Sequence, residues 1–253
     1  MYLNCKTGYH TRNGNFSPAG LVNRAVEAGI TALALTNINN TSDALDFLKY
    51  CKESKVKPIL GAEIRNAGEL LYILIATGIK GFEWINRFLS SYLSSAADFP
   101  VTTAETHFFE DPDDGFVIYP LGKKKLQDLL FNERIGIRPG EIDKLFEMDY
   151  SGAAAKLVML QPVMHGESTH DLTHFHLDRS DSNIIGSNNS EPVTDYADQL
   201  FIPEMELIRR CKSFSFIIIN TYKLMDACNI SFELGKPRNK KDFRRFYRSI
   251  PAS

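Results

Sequence analysis

Short apolar runs alternate along this chain with longer segments in which apolar residues recur every three or four positions. A short continuous apolar run is typical of a buried strand, and the longer spacing is typical of an amphipathic helix. The predicted strands are residues 2–5, 32–35, 56–60, 70–76, 116–119, 157–160 and 201–202. The predicted helices begin near residues 18 and 42 and then cover residues 82–93, 123–130, 141–146, 204–211 and 215–228.

Helix boundaries are marked most clearly in the first part of the chain. Ser17 is expected to cap the first helix, because its hydroxyl accepts from a free backbone N–H and Pro18 fits the first helical position. Gly29 is expected to end that helix. Thr41 or Ser42 is expected to cap the second helix.

The order of these elements predicts the fold class. Strands that alternate with helices indicate an α/β protein with a parallel sheet. Seven strands, most of them followed by a helix, favour a closed or distorted (βα) barrel over an open sheet. A chain of 253 residues is long enough for one such barrel or for two smaller domains.

Composition and charge limit the partners and the cellular location that we expect for this protein. Hydrophobic residues make up 43% of the chain and the formal net charge is −2, so the molecule as a whole does not attract nucleic acid or membrane. The four cysteines, at positions 5, 51, 211 and 228, lack zinc-type spacing and are expected to be reduced and buried. No signal pattern and no membrane-spanning apolar run are visible, so a cytoplasmic protein without a membrane partner is expected.

Polar residues follow the first three predicted strands, at the edge where α/β folds build their sites. We interpret this set as the remains of a metal site. Only Glu63 is a good ligand for ions such as Zn²⁺ or Mn²⁺, and the Lys6 ammonium repels a cation. Glu63 is alternatively a structural carboxylate paired with Lys6 or Arg65, and a Lys6–Glu63 pair would put a fixed positive charge in place of metal. The positions are Asn4, Lys6, Asn13, Asn37, Ile38 and Glu63.

A cluster of histidines is a second candidate metal site. His165, His170, His174 and His176 have spacing that would allow a divalent ion, although solvated histidines on a polar loop are the favoured interpretation. No nucleophile-elbow or phosphate-loop motif is present in the sequence.

A basic segment closes the chain. Seven Lys and Arg residues lie between positions 236 and 248, interleaved with three aromatic residues. Such segments can contact nucleic acid, or they can be solvated linkers or amphipathic helices that dock elsewhere. The candidate nucleic-acid-binding residues are Lys240, Lys241, Arg244 and Arg245.

Three stretches together resemble the polymerase and histidinol phosphatase (PHP) domain that begins bacterial DNA polymerase III alpha subunits. Residues 4–14, NCKTGYHTRNG, correspond to the family's H-x-H-S-x-Y-S-x-x-D-G, with Tyr9 and Gly14 matching. Residues 34–38, ALTNI, correspond to A-L-T-D-H, and residues 57–63, KPILGAE, match K-P-I-x-G-x-E. The resemblance extends to about residue 242.

The resemblance implies a distorted seven-stranded (βα) barrel over residues 1–235, followed by a basic tail or truncated linker over residues 236–253. Active members of the family hold metals at the strand ends and hydrolyse phosphoesters. Only Glu63 keeps a family ligand in this alignment. Six ligand positions hold other residues, namely Asn4, Lys6, Asn13, Asn37, Ile38 and Leu71.

The replacement of the family's metal ligands favours a domain without catalytic activity over a hydrolase. The favoured interpretation is a catalytically inactive PHP-like domain that acts as a structural or interaction module in DNA replication. It needs no cofactor, and its expected partners are a polymerase core or other replisome subunits. The polymerase palm of the family is not expected in this chain. The alternative is a metal-dependent phosphoesterase or 3′–5′ exonuclease that binds Zn, Mn or Mg through Glu63 and the histidine cluster.

Overall fold

The structure is a computed structural model that describes residues 1–8, 16–102, 108–164 and 201–231. Its strands are β1 (Tyr2–Cys5), β2 (Ala32–Leu35), β3 (Lys57–Asn66), β4 (Glu69–Ala76), β5 (Gly115–Pro120), β6 (Glu133–Ile137), β7 (Leu157–Met159) and β8 (Pro162–Val163). Its α-helices are α1 (Pro18–Glu27), α2 (Ala44–Ser54), α3 (Ile79–Ser95), α4 (Glu204–Arg210) and α5 (Ser215–Ala227). A 3₁₀ segment covers Pro139–Glu147, and shorter 3₁₀ turns cover Pro112–Asp114, Leu126–Asp128, Ala154–Lys156 and Lys212–Phe214.

All eight strands belong to one curled sheet, in the order β7-β6-β5-β4-β3-β2-β1-β8. This corrects the expectation of seven strands in a wholly parallel sheet, because β4 runs antiparallel to both β3 and β5. Strand β3 continues to Asn66, so only Ala67 and Gly68, both with positive φ, connect it to β4. A two-residue connection makes a hairpin, whereas a parallel crossover needs a dozen or so residues.

The predicted set of strands differs from the structure in two further respects. It lacks β6, in which a glycine at position 136 separates the apolar residues Ile135 and Ile137, and it lacks the two-residue strand β8. Residues 201–202, predicted as a strand, are not in a strand. Phe201 is nevertheless buried, and its ring lies 4.7 Å from that of Tyr2. Phe201 is buried by side-chain packing and Ile202 is partly buried, so this apolar pair gave the same signal as a short strand.

The helix starts agree with the sequence only in part. The Ser17 hydroxyl accepts from the backbone N–H of Gly20 at 3.0 Å, so the predicted cap of α1 is confirmed. Neither Thr41 nor Ser42 caps α2, which begins after Asp43. The predicted helix at residues 141–146 lies inside the 3₁₀ segment, and that at residues 123–130 is reduced to one 3₁₀ turn.

The core is formed where helices cover the sheet: α3 packs against β3 and β4, and α5 packs against β7. Gly61, in the middle of β3, lets that strand approach β4 closely. A Cβ atom at this position would lie 2.1 Å from the carbonyl oxygen of Leu74. The glycine of the KPILGAE stretch is therefore required by packing, and it fixes the course of β3 two residues before Glu63. Within the described ranges, no helix is long and apolar enough to cross a membrane.

Candidate functional site

The ends of β1, β2 and β3 lie side by side, because these three strands are neighbours and parallel. Lys6 follows β1 directly, and Asn37 is the second residue after the end of β2. Glu63 lies inside β3 instead of after it, where it forms an isolated parallel bridge with Ile38. Of the predicted strand-end positions that the structure describes, Lys6, Asn37 and Ile38 are thus brought next to Glu63.

The Glu63 carboxylate is fully buried and held between two cations. Lys6 Nζ lies 2.7 Å from Glu63 Oε2, and Arg65 Nε donates to Glu63 Oε1 at 2.6 Å. The Lys6 side chain is also buried, at 3% exposed, while that of Arg65 is 18% exposed. The Lys6–Glu63 contact predicted from the sequence is therefore confirmed, and Arg65 adds a second charge to the same carboxylate.

Asn4 completes the surroundings of the Lys6 ammonium. Lys6 Nζ donates to Asn4 Oδ1 at 2.9 Å, and the Thr36 hydroxyl donates to the same oxygen at 3.1 Å. Asn4 is itself buried. An amide oxygen and a carboxylate oxygen thus replace water around a buried cation, which would otherwise be very unfavourable there.

Asn37 binds the backbone that follows β1. Its Oδ1 accepts from the backbone N–H of Thr7 at 2.8 Å, and its Nδ2 donates to the Thr7 hydroxyl at 2.8 Å. The Thr7 hydroxyl in turn donates to the carboxylate of Asp43. Both Asn37 and Asp43 are buried. The pattern of contacts makes Asn37 a structural link between two strand ends.

Sequence reasoning missed Asp43 and Asn39. An Asp at a helix start signals a cap, yet the Asp43 side chain makes no capping hydrogen bond and binds Thr7 instead. Asn39 has a positive φ of 51° and contacts β3. Its Nδ2 donates to the Arg65 carbonyl and its Oδ1 accepts from the Arg65 N–H, both at 2.9 Å. Asn adopts a left-handed backbone conformation more readily than most residues, and this was the sequence signal that could have identified Asn39.

Neighbouring charges decide the ionisation of this cluster. Burial alone raises the pKa of the Glu63 carboxyl, but the charges and hydrogen bonds of Lys6 and Arg65 outweigh it and lower the pKa to about 2. Burial lowers the pKa of the Lys6 ammonium, and the Glu63 charge acts in the opposite direction. We interpret the pair as ionised at neutral pH, because the carboxylate is matched by two cations within hydrogen-bond distance.

The lowered pKa predicts how stability changes with acid. A carboxyl whose pKa is lower in the folded than in the unfolded chain stabilises the fold above its unfolded pKa of about 4.5, and this is lost as the pH falls toward 2. We expect Glu63 to contribute a slope of up to about 1.4 kcal/mol per pH unit in that window. Urea unfolding of the wild type and of Glu63→Gln between pH 5 and pH 2 measures it. A difference between the two proteins that does not shrink with acid would contradict the charge assignment.

These residues do not fit a metal cluster. A divalent ion would have to share the Glu63 carboxylate with a buried ammonium 2.7 Å away, and the two charges repel. Leu71 lies on β4 at the point where the pairing with β3 shifts register, and its side chain offers no ligand atom. The described part of the chain contains no group of three or more His, Cys, Asp or Glu residues placed to hold an ion.

Several predicted positions lie outside the described residues. They are Asn13, the histidines at positions 165, 170, 174 and 176, and the basic residues Lys240, Lys241, Arg244 and Arg245. The described site therefore consists of Asn4, Lys6, Asn37, Glu63 and Arg65.

Comparison with known proteins finds a matching domain family and relatives that share part of the sequence. The profile of the PHP domain family matches residues 3–164. The chain is 27% identical to the DNA polymerase III subunit alpha of Halalkalibacterium halodurans, over 87% of this chain and 22% of that protein. It is 39% identical to the error-prone DNA polymerase of Symbiobacterium thermophilum, over 28% of this chain and 6% of that protein.

The chain thus spans a small part of the length of these relatives. Among solved structures, an amidohydrolase from Chromobacterium violaceum matches 72% of this chain and 84% of its own, with a TM-score of 0.32 and 13% identity.

Proposed function

This chain belongs to the PHP domain family, and from that premise we propose that it is a PHP domain without hydrolytic activity. In this proposal it acts as a structural or interaction module of a DNA polymerase III alpha type of replication protein in the cytoplasm. A polymerase core or another replisome subunit is its proposed partner. The relatives that carry such a domain are DNA polymerases, and they are much longer than this chain.

One observation carries the proposal: a buried ammonium occupies the centre of the strand-end site. Metal-dependent hydrolysis needs a cation that polarises a phosphoryl oxygen and lowers the pKa of a bound water. Lys6 supplies positive charge, but an ammonium has no open coordination position for a water or a phosphoryl oxygen. Its Nζ atom already donates to Asn4 and forms an ion pair with Glu63. Asn37, which holds another of the family's ligand positions, is already hydrogen-bonded to Thr7.

The same cluster has a structural role in this proposal. In an active member, metal ions would join the ends of neighbouring strands. Here the Lys6–Glu63 pair joins the end of β1 to β3, and the Asn37–Thr7 hydrogen bonds join the ends of β1 and β2. These direct contacts hold the strand ends together without an ion.

Elemental analysis of the purified chain, combined with phosphatase and single-strand exonuclease assays in added Mn²⁺ and Zn²⁺, tests the proposal. We expect no stoichiometric metal and no activity above that of a Glu63→Ala variant. Stoichiometric metal together with activity that Glu63→Ala abolishes would establish the alternative, a metal-dependent phosphoesterase, and would require ligands outside the described residues.

A further inference from the structure

An aromatic cleft lies between the 3₁₀ segment Pro139–Glu147 and the start of α5. Its residues are distant in sequence from those of the strand-end site. It has a volume of about 490 Å³, within the range of about 300–1,000 Å³ found for ligand-holding clefts. The ring of Phe146 lies 4.8 Å from that of Phe214, and Phe146 is 68% exposed. Phe146, Asp149, Ser213 and Phe214 are among the residues that line the cleft.

The described lining of the cleft is mostly apolar and aromatic, and the charged residues on and beside it include more acidic than basic side chains. Of the described lining residues only Asp149 is charged, and Asp143 and Glu147 are exposed on the 3₁₀ segment that forms one wall; we call these three carboxylates the acidic rim. Against these three carboxylates the walls carry Lys144, which pairs with Glu141 at 3.3 Å, and Lys212. A large exposed aromatic side chain in such surroundings indicates a surface that another apolar group covers.

The last part of the chain has the complementary composition. Phe243, Phe246 and Tyr247 follow the spacing i, i+3, i+4, which puts three side chains on one face of a helix. Lys and Arg residues occupy most of the positions between and around them. We propose that this aromatic and basic segment, residues 240–248, docks its aromatic side chains into the cleft and its basic side chains against the acidic rim.

The length of the connection permits this return. Phe214, in the cleft, immediately precedes α5, and the described chain ends at Ser231, just beyond the other end of that helix. Thirteen residues of α-helix span about 20 Å. The twelve residues from Ser231 to Phe243 reach up to about 40 Å when extended, enough to run back along α5.

The outer surface of α5 supports the same path. Ile219 is 52% exposed and Tyr222, whose hydroxyl donates to Glu204, is 38% exposed, so two large side chains are open to solvent on α5 between its two ends. Residues three apart on a helix are neighbours on its surface. This inference does not depend on whether the strand-end site is catalytic.

Disulfide trapping in the full chain tests the proposal. Ser213, which lines the cleft and is exposed, is changed to cysteine together with Ser249, two residues beyond Tyr247. The matched control pairs Ser249→Cys with Ser90→Cys, an exposed position on α3, which packs against β3 and β4. We expect the intrachain disulfide to form at least about tenfold faster in the first pair, the factor that corresponds to about 1.4 kcal/mol.

The native thiols do not compete in this experiment. All four cysteines are buried. Burial raises the pKa of the Cys5, Cys51 and Cys228 thiols to about 12 and that of Cys211 to about 11, so little of the reactive thiolate is present.

A second measurement does not require new cysteines. Changing Phe243, Phe246 and Tyr247 to alanine is expected to speed hydrogen exchange of the amides in residues 145–151 by about tenfold and to leave that of β3 unchanged. Equal disulfide rates in the two cysteine pairs, or unchanged exchange at residues 145–151, would overturn the proposal. Disulfides that form between two chains instead of within one would also overturn it, in favour of a second copy as the occupant.

Discussion

Replacement of Lys6 by methionine is expected to lower the free energy of unfolding by about 3 kcal/mol. Removing one partner of a buried ion pair leaves the other charge buried and incompletely compensated, which typically costs about 3–5 kcal/mol. The lower value is expected here because Arg65 still binds Glu63 at 2.6 Å. In a chain of this size the melting temperature should fall by roughly 6–12 °C. Urea unfolding at neutral pH measures the change.

A second variant separates lost charge pairing from lost packing. Lys6→Met combined with Glu63→Gln leaves no uncompensated carboxylate in the site, so we expect it to recover part of the loss. The matched surface control is Lys144→Met, because Lys144 is 63% exposed and its contact with Glu141 is 3.3 Å. Exposed pairs contribute about 0–1 kcal/mol. If Lys6→Met costs no more than Lys144→Met, the buried pair does not hold the strand ends together.

Reconstruction of a metal site is the second large effect that we expect. The combined changes Asn4→His, Lys6→His, Asn37→Asp and Ile38→His place nitrogen and oxygen ligands around Glu63. Imidazole and carboxylate are the ligands that Zn²⁺ prefers at such sites. We expect Zn²⁺ affinity to rise from undetectable to micromolar or tighter, which corresponds to about 8 kcal/mol of binding free energy. Titration calorimetry with Zn²⁺ measures the gain.

The control for this reconstruction keeps the lysine. A variant with Asn4→His, Asn37→Asp and Ile38→His retains the buried ammonium 2.7 Å from the Glu63 carboxylate. We expect it to bind Zn²⁺ far more weakly, because Lys6 pairs with the carboxylate that a metal would need and repels the ion. Equal affinity with and without Lys6 would contradict the idea that this residue stands in place of metal.

One contact of the strand-end site was predictable from the sequence. The KPILGAE stretch and the apolar run before Asn37 indicated two neighbouring strands, and the residue types after them indicated a site without metal ligands other than Glu63. The contact between Lys6 and Glu63 was expected from their opposite charges and from the convergence of strand ends in a barrel, although the structure places Lys6 after β1 and Glu63 within β3, on either side of β2. Ser17 as a helix cap was likewise readable, because capping depends on residues that are close in the chain.

Strand direction and site detail depended on tertiary structure. The hairpin between β3 and β4 follows from Ala67 and Gly68 together with a β3 that continues past the end of its apolar run. The contact of Thr7 with Asp43 and the aromatic cleft beside Phe214 bring together residues that are distant in sequence or lie on different elements. Local sequence patterns determine which residues can form strands, helices and caps. The packing of the sheet decided the remaining contacts between buried polar groups, such as Thr7 with Asp43, because each such group must find a partner once water is removed.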